Sequence, residues 1–199
     1  MELPAMVVLA LALVAGLSYF AILPRPAGHV RAIWKTLPVA LLAFYAFLME
    51  APALLVLALV LSALGDAFLA YEGEKNFIGG LSSFLLAHIA YGALFFTIGD
   101  LGSVASEIWR LAAAVLSVVL AAALVVYLWR PAARLAPAVF AYATAIAAMA
   151  VLSLGVTPVA VFVGAALFLS SDAVLAIETF RMEETHPWRR PAALYGWAS

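Results

Sequence analysis

Seven long apolar runs, separated by short polar segments, dominate the chain. A helix needs about 20 apolar residues to cross a bilayer, whereas a strand of a membrane barrel needs only about 9–11. The runs are rich in Ala, Leu and Val and suit helices, which satisfy their backbone hydrogen bonds internally. We therefore predict an all-α, polytopic membrane helix bundle with spans at residues 5–23, 34–49, 53–71, 77–98, 108–129, 134–153 and 157–178.

The two ends of the chain set the limits of the predicted bundle. The first run lacks a basic leading segment and a small-residue cleavage site, so we interpret it as a retained span. A further apolar stretch, 192–199, begins after Pro191, but it is too short to cross a bilayer. We predict one integral membrane domain, 1–199, with seven full spans plus the start of an eighth that is either truncated or absent.

Composition supports the membrane assignment and removes several kinds of chemistry. Residues of the set AVILMFWYC make up 68% of the chain, charged residues 11%, and the mean hydropathy is +1.15. An average soluble domain is roughly half apolar and about a quarter charged, so a water-soluble globule is excluded. The formal net charge of −1 gives no argument for a nucleic-acid partner. The lack of cysteine excludes disulfides, thiolate catalysis and cysteine metal ligands.

Basic residues predict the orientation of the spans. The segments that follow odd-numbered spans carry nine of the ten basic residues, and the opposite side carries only Arg110. Loops rich in Lys and Arg stay in the cytoplasm. We therefore expect a multi-pass protein of a bacterial inner membrane with its N-terminus outside. The nine residues are Arg25, Arg31, Lys35, Lys75, Arg130, Arg134, Arg181, Arg189 and Arg190.

Two segments of the chain match at an offset of 106 residues. Residues 66–72 (DAFLAYE) align with 172–178 (DAVLAIE), and the register continues to Lys75 and Arg181. Apolar residues often match by chance in a chain of this composition, whereas matches between charged residues are less expected because such residues are scarce. Because four spans separate the copies, the two would point the same way, as in a parallel internal repeat. The repeat halves would be about 1–98 and 108–199, and coincidence is the alternative.

Asp66 and Asp172 are the main candidates for chemistry. Each lies inside an apolar run, where an ionised carboxylate costs about 2.5–3.5 kcal/mol. Each precedes a Glu at the span edge by six residues, which places both about 9 Å deep. If their spans are neighbours, the two carboxylates share a proton and supply an acid and a base at neutral pH. The alternative is that each binds a neighbouring polar group for packing.

Further polar side chains lie on the predicted spans. His88 and Tyr91 are one turn apart and share a helix face, so either both line a cavity or His88 is a satisfied core histidine. For Ser82 and Ser83, hydrogen bonding between helices is the simpler role. Lys35 opens the second predicted span, either as an interfacial lysine or as a contact for a lipid phosphate.

Other reaction classes have little support in the sequence. It contains no GxSxG, HExxH or Walker motif, so serine-hydrolase, zinc-protease and P-loop chemistry are disfavoured. Two Asp and one His could hold a metal in principle, but their predicted depths differ and no ligand spacing repeats. We predict no cofactor and no metal.

Three ordered motifs resemble those of the YhhN-like lysoplasmalogenase family. Residues 64–69 (LGDAFL) and 77–91 (FIGGLSSFLLAHIAY) resemble its "GD…L…G…F…H..Y" core. Residues 163–172 (VGAALFLSSD) look like its second signature, "GA.LF..SD". Lys35 with Leu37-Pro38 resembles its early "KPL" element, with the proline shifted. The family usually completes an eighth helix, of which only the stretch 195–197 remains here.

The resemblance implies hydrolysis of the vinyl-ether bond of a lysoplasmalogen, with Asp66 and Asp172 as catalytic residues. Cleavage of an enol ether requires an acid and a nearby carboxylate, and no redox cofactor. A proton-coupled transporter that uses the same two aspartates is the alternative, and a non-catalytic lipid-binding protein is a third reading. We expect a lysophospholipid substrate and no nucleic acid. The candidate substrate-binding residues are Lys35, Ser82, His88, Tyr91 and Ser171.

Overall fold

The structure, a computed structural model, describes residues 3–22 and 28–181. Within these ranges the regular structure is helical, with no strand, which confirms the predicted all-α class. A single 3-10 turn, Ala133–Leu135, precedes α7. The α-helices are α1 Leu3–Ile22, α2 His29–Leu48, α3 Ala53–Leu69, α4 Glu74–Ile98, α5 Leu101–Ser106, α6 Ile108–Leu128, α7 Ala136–Ser153 and α8 Ala160–Arg181.

Most of these helices are suited to a bilayer. Five are long and apolar enough to cross it: α2, α4, α6, α8, and α7 together with the turn that precedes it. The apolar helix α3 has 17 residues, at the lower end of the range of about 17–25 residues for a span. The chain is therefore a polytopic helical membrane protein.

The helix ends differ from the predicted spans where polar residues continue a helix. α2 begins at His29, directly after Gly28, and not at residue 34. The predicted span began later because the first turn of the helix is polar. α8 runs to Arg181 and so passes the predicted end at 178. The short helix α5 was not predicted. Asp100 caps it by accepting a hydrogen bond from the Gly102 backbone N–H at 2.9 Å.

The chain divides into two compact units, Met1–Leu94 and Phe95–Ser199. In the first unit α2 packs on α1 and on α3, and in the second α7 packs on α6 and on α8. The starts of α6, α7 and α8 follow those of α1, α2 and α3 by 105, 107 and 107 residues (108 − 3, 136 − 29, 160 − 53). These separations favour the 106-residue repeat, which stays a prediction. The start of an eighth span lies outside the described residues.

Glycines allow α3 and α4 to pack closely in the first unit. A Cβ atom added to Gly65 of α3 would lie 2.5 Å from the Phe84 ring of α4. In return, a Cβ atom on Gly80 of α4 would lie 2.6 Å from the Leu69 side chain of α3. Small residues at helix contacts let backbones approach, which is how helices associate in membranes. This close packing fixes Asp66, which follows Gly65, relative to α4.

Arg110, which the sequence placed alone on the outer side, is buried in the second unit. Its guanidinium donates a hydrogen bond to the Leu154 carbonyl just beyond α7. Its Nε donates to Glu107 Oε2 at 2.9 Å, and Trp109 Nε1 donates to the same oxygen at 2.7 Å. These two hydrogen bonds lower the pKa of Glu107, and the one from Arg110 has the larger effect. A cation at a helix C-terminus interacts favourably with the negative end of the helix dipole, so Arg110 stabilises the end of α7.

Candidate functional site

Asp66 forms an ion pair between two helices of the first unit. Lys35 Nζ of α2 lies 3.4 Å from Asp66 Oδ1 of α3, and the two side chains are only 15% and 16% exposed. Because α2 begins at His29, Lys35 lies in its second turn and not at its start, as the sequence had suggested. Opposite charges in contact reduce the cost of holding either one among apolar helices. Lys35 therefore has a partner that the sequence analysis did not identify.

A second polar pair joins the same two helices near their ends. His29 Nδ1 lies 2.8 Å from the Tyr71 hydroxyl, and the two rings meet edge to face with centroids 5.7 Å apart. His29 is the first residue of α2, and Tyr71 follows the end of α3. The contact between α2 and α3 thus carries an ion pair inside and a His–Tyr pair at its exposed edge.

Asp172 of α8 also has a partner on the preceding helix, in the second unit. The Tyr142 hydroxyl of α7 donates a hydrogen bond to Asp172 Oδ2. The neighbouring Ser171 is buried. The sequence analysis missed Tyr142, although a tyrosine in the middle of an apolar span is a recognisable signal.

The two aspartates are bound in a similar way. Lys35 precedes Asp66 by 31 residues (66 − 35), and Tyr142 precedes Asp172 by 30. In each unit, a polar side chain from one helix thus holds a carboxylate on the next helix. The partners differ in charge, because one is an ammonium group and the other a neutral phenol. Adding the 106-residue repeat offset to Lys35 gives position 141, which is next to Tyr142. The repeat was therefore a signal in the sequence that could have led from Lys35 to Tyr142.

Side chains of α4 face the same part of α3 as the ion pair. Tyr91 of α4 lies near the buried Ser62 of α3. Ser62 lies one turn before Asp66 and shares its helix face. His88, which is fully buried, lies on α4 between Tyr91 and the residue Phe84 that covers Gly65. Asp66, His88 and Tyr91 therefore belong to one packed region of the first unit.

The two serines of α4 differ in their surroundings. Ser82, a predicted substrate contact, is exposed on α4, whereas Ser83 is buried. Within the described ranges, no three His, Asp or Glu side chains come together as metal ligands do.

The two aspartates lie at different distances from the ends of their helices. Asp66 lies three residues before the end of α3 (69 − 66), and Asp172 lies nine before the end of α8 (181 − 172). At a rise of 1.5 Å per residue these separations are about 4.5 and 13.5 Å. α3 stops before Glu72, whereas α8 continues past Glu178, and the equal depth of the two carboxylates in the bilayer stays a prediction. Asp66 belongs to the first unit and Asp172 to the second, and their pairing stays a prediction.

These observations define a polytopic helical membrane protein that holds two aspartates within its apolar helices. The YhhN family model matches residues 30–198, which is most of the chain and includes both aspartates. The chain belongs to the YhhN family, the lysoplasmalogenase family. No curated protein and no solved structure matches it significantly.

Proposed function

We propose that this protein is a membrane hydrolase that cleaves the vinyl-ether bond of a lysoplasmalogen. The products are a fatty aldehyde and a glycerophospho-ethanolamine or glycerophospho-choline. Membership of the YhhN family supports this class of reaction. The observation that carries the proposal is the pair of partnered aspartates, since acidic groups within membrane helices are costly and mark function.

The reaction needs an acid and a carboxylate. A carboxylic acid donates its proton to the β-carbon of the enol ether, which leaves an oxocarbenium ion. Water then attacks the carbon next to oxygen, and a carboxylate accepts the proton that water loses. In the collapse of the hemiacetal to the aldehyde, the hemiacetal hydroxyl gives its proton to the carboxylate that protonated the β-carbon. The ether oxygen takes the proton that the other carboxylate accepted from water and leaves as the glycerol hydroxyl. One water is consumed, and the carboxyl groups return to their starting states.

The partners of the aspartates suggest how these roles divide. Asp66 faces the ammonium of Lys35 and is the anionic member, which stabilises the cation and accepts the proton from water. Asp172 faces the neutral phenol of Tyr142 and is the proton donor. Lys35 and Tyr142 act as positioning residues in this scheme, because each fixes the orientation of a carboxylate.

The test is aldehyde release from a purified lysoplasmalogen in heavy water. Protonation at the β-carbon places one deuterium on carbon 2 of the aldehyde, which is measured by mass spectrometry after reduction to the alcohol. Asp66→Asn and Asp172→Asn should each lower the rate by about 10²-fold or more, the scale of acid–base catalysis. If the two act as one unit, the double variant should be little slower than either single variant.

Asp100→Asn is the matched control, because Asp100 caps the short helix α5 and Asn caps helices as well as Asp does. Asp66→Asn leaves Lys35 without its partner, so Lys35→Met/Asp66→Asn serves as a second variant in which no unpaired charge remains. The proposal is wrong if the Asp66 variants, monodisperse in detergent, release aldehyde at the parent rate. It is also wrong if the parent protein releases none, and uptake of solute into proteoliposomes would then favour the transporter.

A further inference from the structure

The buried face of α2 carries a second cation, Arg31, one turn before Lys35. Residues four apart share a helix face, and this face also carries buried residues of α2, namely Ala32, Pro38, Ala43 and Ala46. The Nε atom of Arg31 is buried and has no hydrogen-bond partner among the described residues. By contrast, Lys35 is paired with Asp66, so Arg31 is the cation of this face whose charge is left for a ligand.

Arginine in this setting is suited to bind a phosphate. Its planar guanidinium presents parallel N–H groups that bind two phosphate oxygens at once. A buried N–H without a partner is costly, and a bound anion would remove that cost at Arg31. Cations within membrane helices mark functional sites for the same energetic reason.

The spacing along α2 fits the dimensions of a lysolipid. Arg31 and Lys35 are four residues apart, which is a rise of about 6 Å along the helix. In a lysoplasmalogen, five bonds join the ether oxygen to phosphorus through the glycerol carbons, about 6 Å when extended, given single bonds of about 1.5 Å. With the reacting bond at the level of Asp66 and Lys35, the phosphate would therefore reach the level of Arg31.

We propose that Arg31 binds the phosphate of the lysolipid substrate and thereby sets the vinyl ether beside Asp66. This proposal rests on the proposed function, and it assigns to Arg31 the contact with the phosphodiester of that substrate. Arg31 lies closer to the N-terminus of α2 than Lys35 does. The head group therefore lies towards the N-terminal end of this helix, and the hydrocarbon chain lies towards its middle. Neutral alkenylglycerols, which lack the phosphate, gain nothing from Arg31.

The experiment compares Arg31→Gln with the parent protein on two substrates, a lysoplasmalogen and the matching 1-O-alkenylglycerol. Loss of a charged hydrogen bond should raise KM for the lysoplasmalogen about tenfold or more, with little change in kcat. The kinetic constants for the alkenylglycerol should not change. Arg31→Lys should recover part of the loss, because it keeps the charge but not the bidentate geometry. Arg130→Gln is the matched control, since Arg130 is exposed beyond the end of α6.

A binding measurement separates this proposal from the proposed function. The probe is 1-O-alkyl lysophosphatidylethanolamine, whose saturated ether cannot be hydrolysed by enol-ether chemistry. The parent protein in detergent should bind it about tenfold more tightly than Arg31→Gln does, whether or not aldehyde is released. Equal binding, or an equal rise in KM for both substrates, would overturn the role of Arg31 and leave it as a contact for bulk lipid. If the parent protein releases no aldehyde but still binds the alkyl lysolipid more tightly than Arg31→Gln does, only the proposed hydrolase activity is overturned.

Discussion

Replacing Lys35 with Met tests the ion pair on which the candidate site depends. The substitution keeps the length of the side chain and removes its charge, so Asp66 loses its partner. Both side chains are largely buried, with 15% and 16% exposed. We therefore expect Lys35→Met to destabilise the protein much more than the loss of a surface lysine would.

The expected magnitude follows from the geometry of the pair. Charges 3.4 Å apart attract each other by about 5 kcal/mol at an effective dielectric constant of 20. Breaking a buried ion pair by removing one partner typically costs about 3–5 kcal/mol. Removing both charges costs less, because no unpaired charge is left. The coupling between Lys35→Met and Asp66→Asn should therefore be about 3 kcal/mol.

The assay is a double-mutant cycle of reversible unfolding in mixed detergent micelles, with Lys35→Met, Asp66→Asn and the double variant. The matched control cycle uses Lys75→Met with Asp66→Asn, since Lys75 is an exposed lysine at the start of α4. The control pair should be additive within about 0.5 kcal/mol. If the Lys35 pair is equally additive, the two side chains do not interact in the folded protein, and the site described here is wrong.

Three further predictions concern other parts of the structure. Gly65→Ala should destabilise the protein by about 1–3 kcal/mol through overpacking, because its Cβ would lie 2.5 Å from the Phe84 ring. Unfolding measurements should show that Phe84→Leu relieves much of this loss, and additive effects of the two substitutions on stability would contradict this packing. Tyr142→Phe removes the hydrogen bond to Asp172 and should lower kcat about 10-fold or more with little change in KM; an unchanged kcat would exclude a positioning role. Cysteines at the exposed positions Ala105 and Arg130 should label from opposite faces of the membrane, and labelling from one face would contradict the predicted topology.

The membrane helices could be predicted from the sequence because hydropathy is a local property. The apolar runs identify α1–α4 and α6–α8, but they miss α5, whose six residues depend on the cap from Asp100. They also misplace the start of α2, since the polar residues His29 and Arg31 lower the local hydropathy without ending the helix. Helix ends depend on capping and on side-chain contacts, which a hydropathy window does not measure.

The candidate site was predicted only in part, because partners are set by packing between helices. The cost of an acid in an apolar helix pointed to Asp66 and Asp172. It did not indicate that Asp66 pairs with Lys35 or that Asp172 binds Tyr142, since these contacts join residues about 30 positions apart. Lys35 was recognised as a lysine near a membrane boundary, and its ion pair became visible only once α2 and α3 were packed together.

The hydrogen bonds of Arg110 have a consequence for how the chain is inserted during biosynthesis. Positive charges resist transfer across the membrane, and Arg110 is the one basic residue on the side predicted to be exported. A single arginine is a weak opposing signal against the nine basic residues of the other side. Once its segment has crossed, the Leu154 carbonyl and Glu107 bind the guanidinium. The translocated charge is thus held in place by the folded protein, at the end of α7.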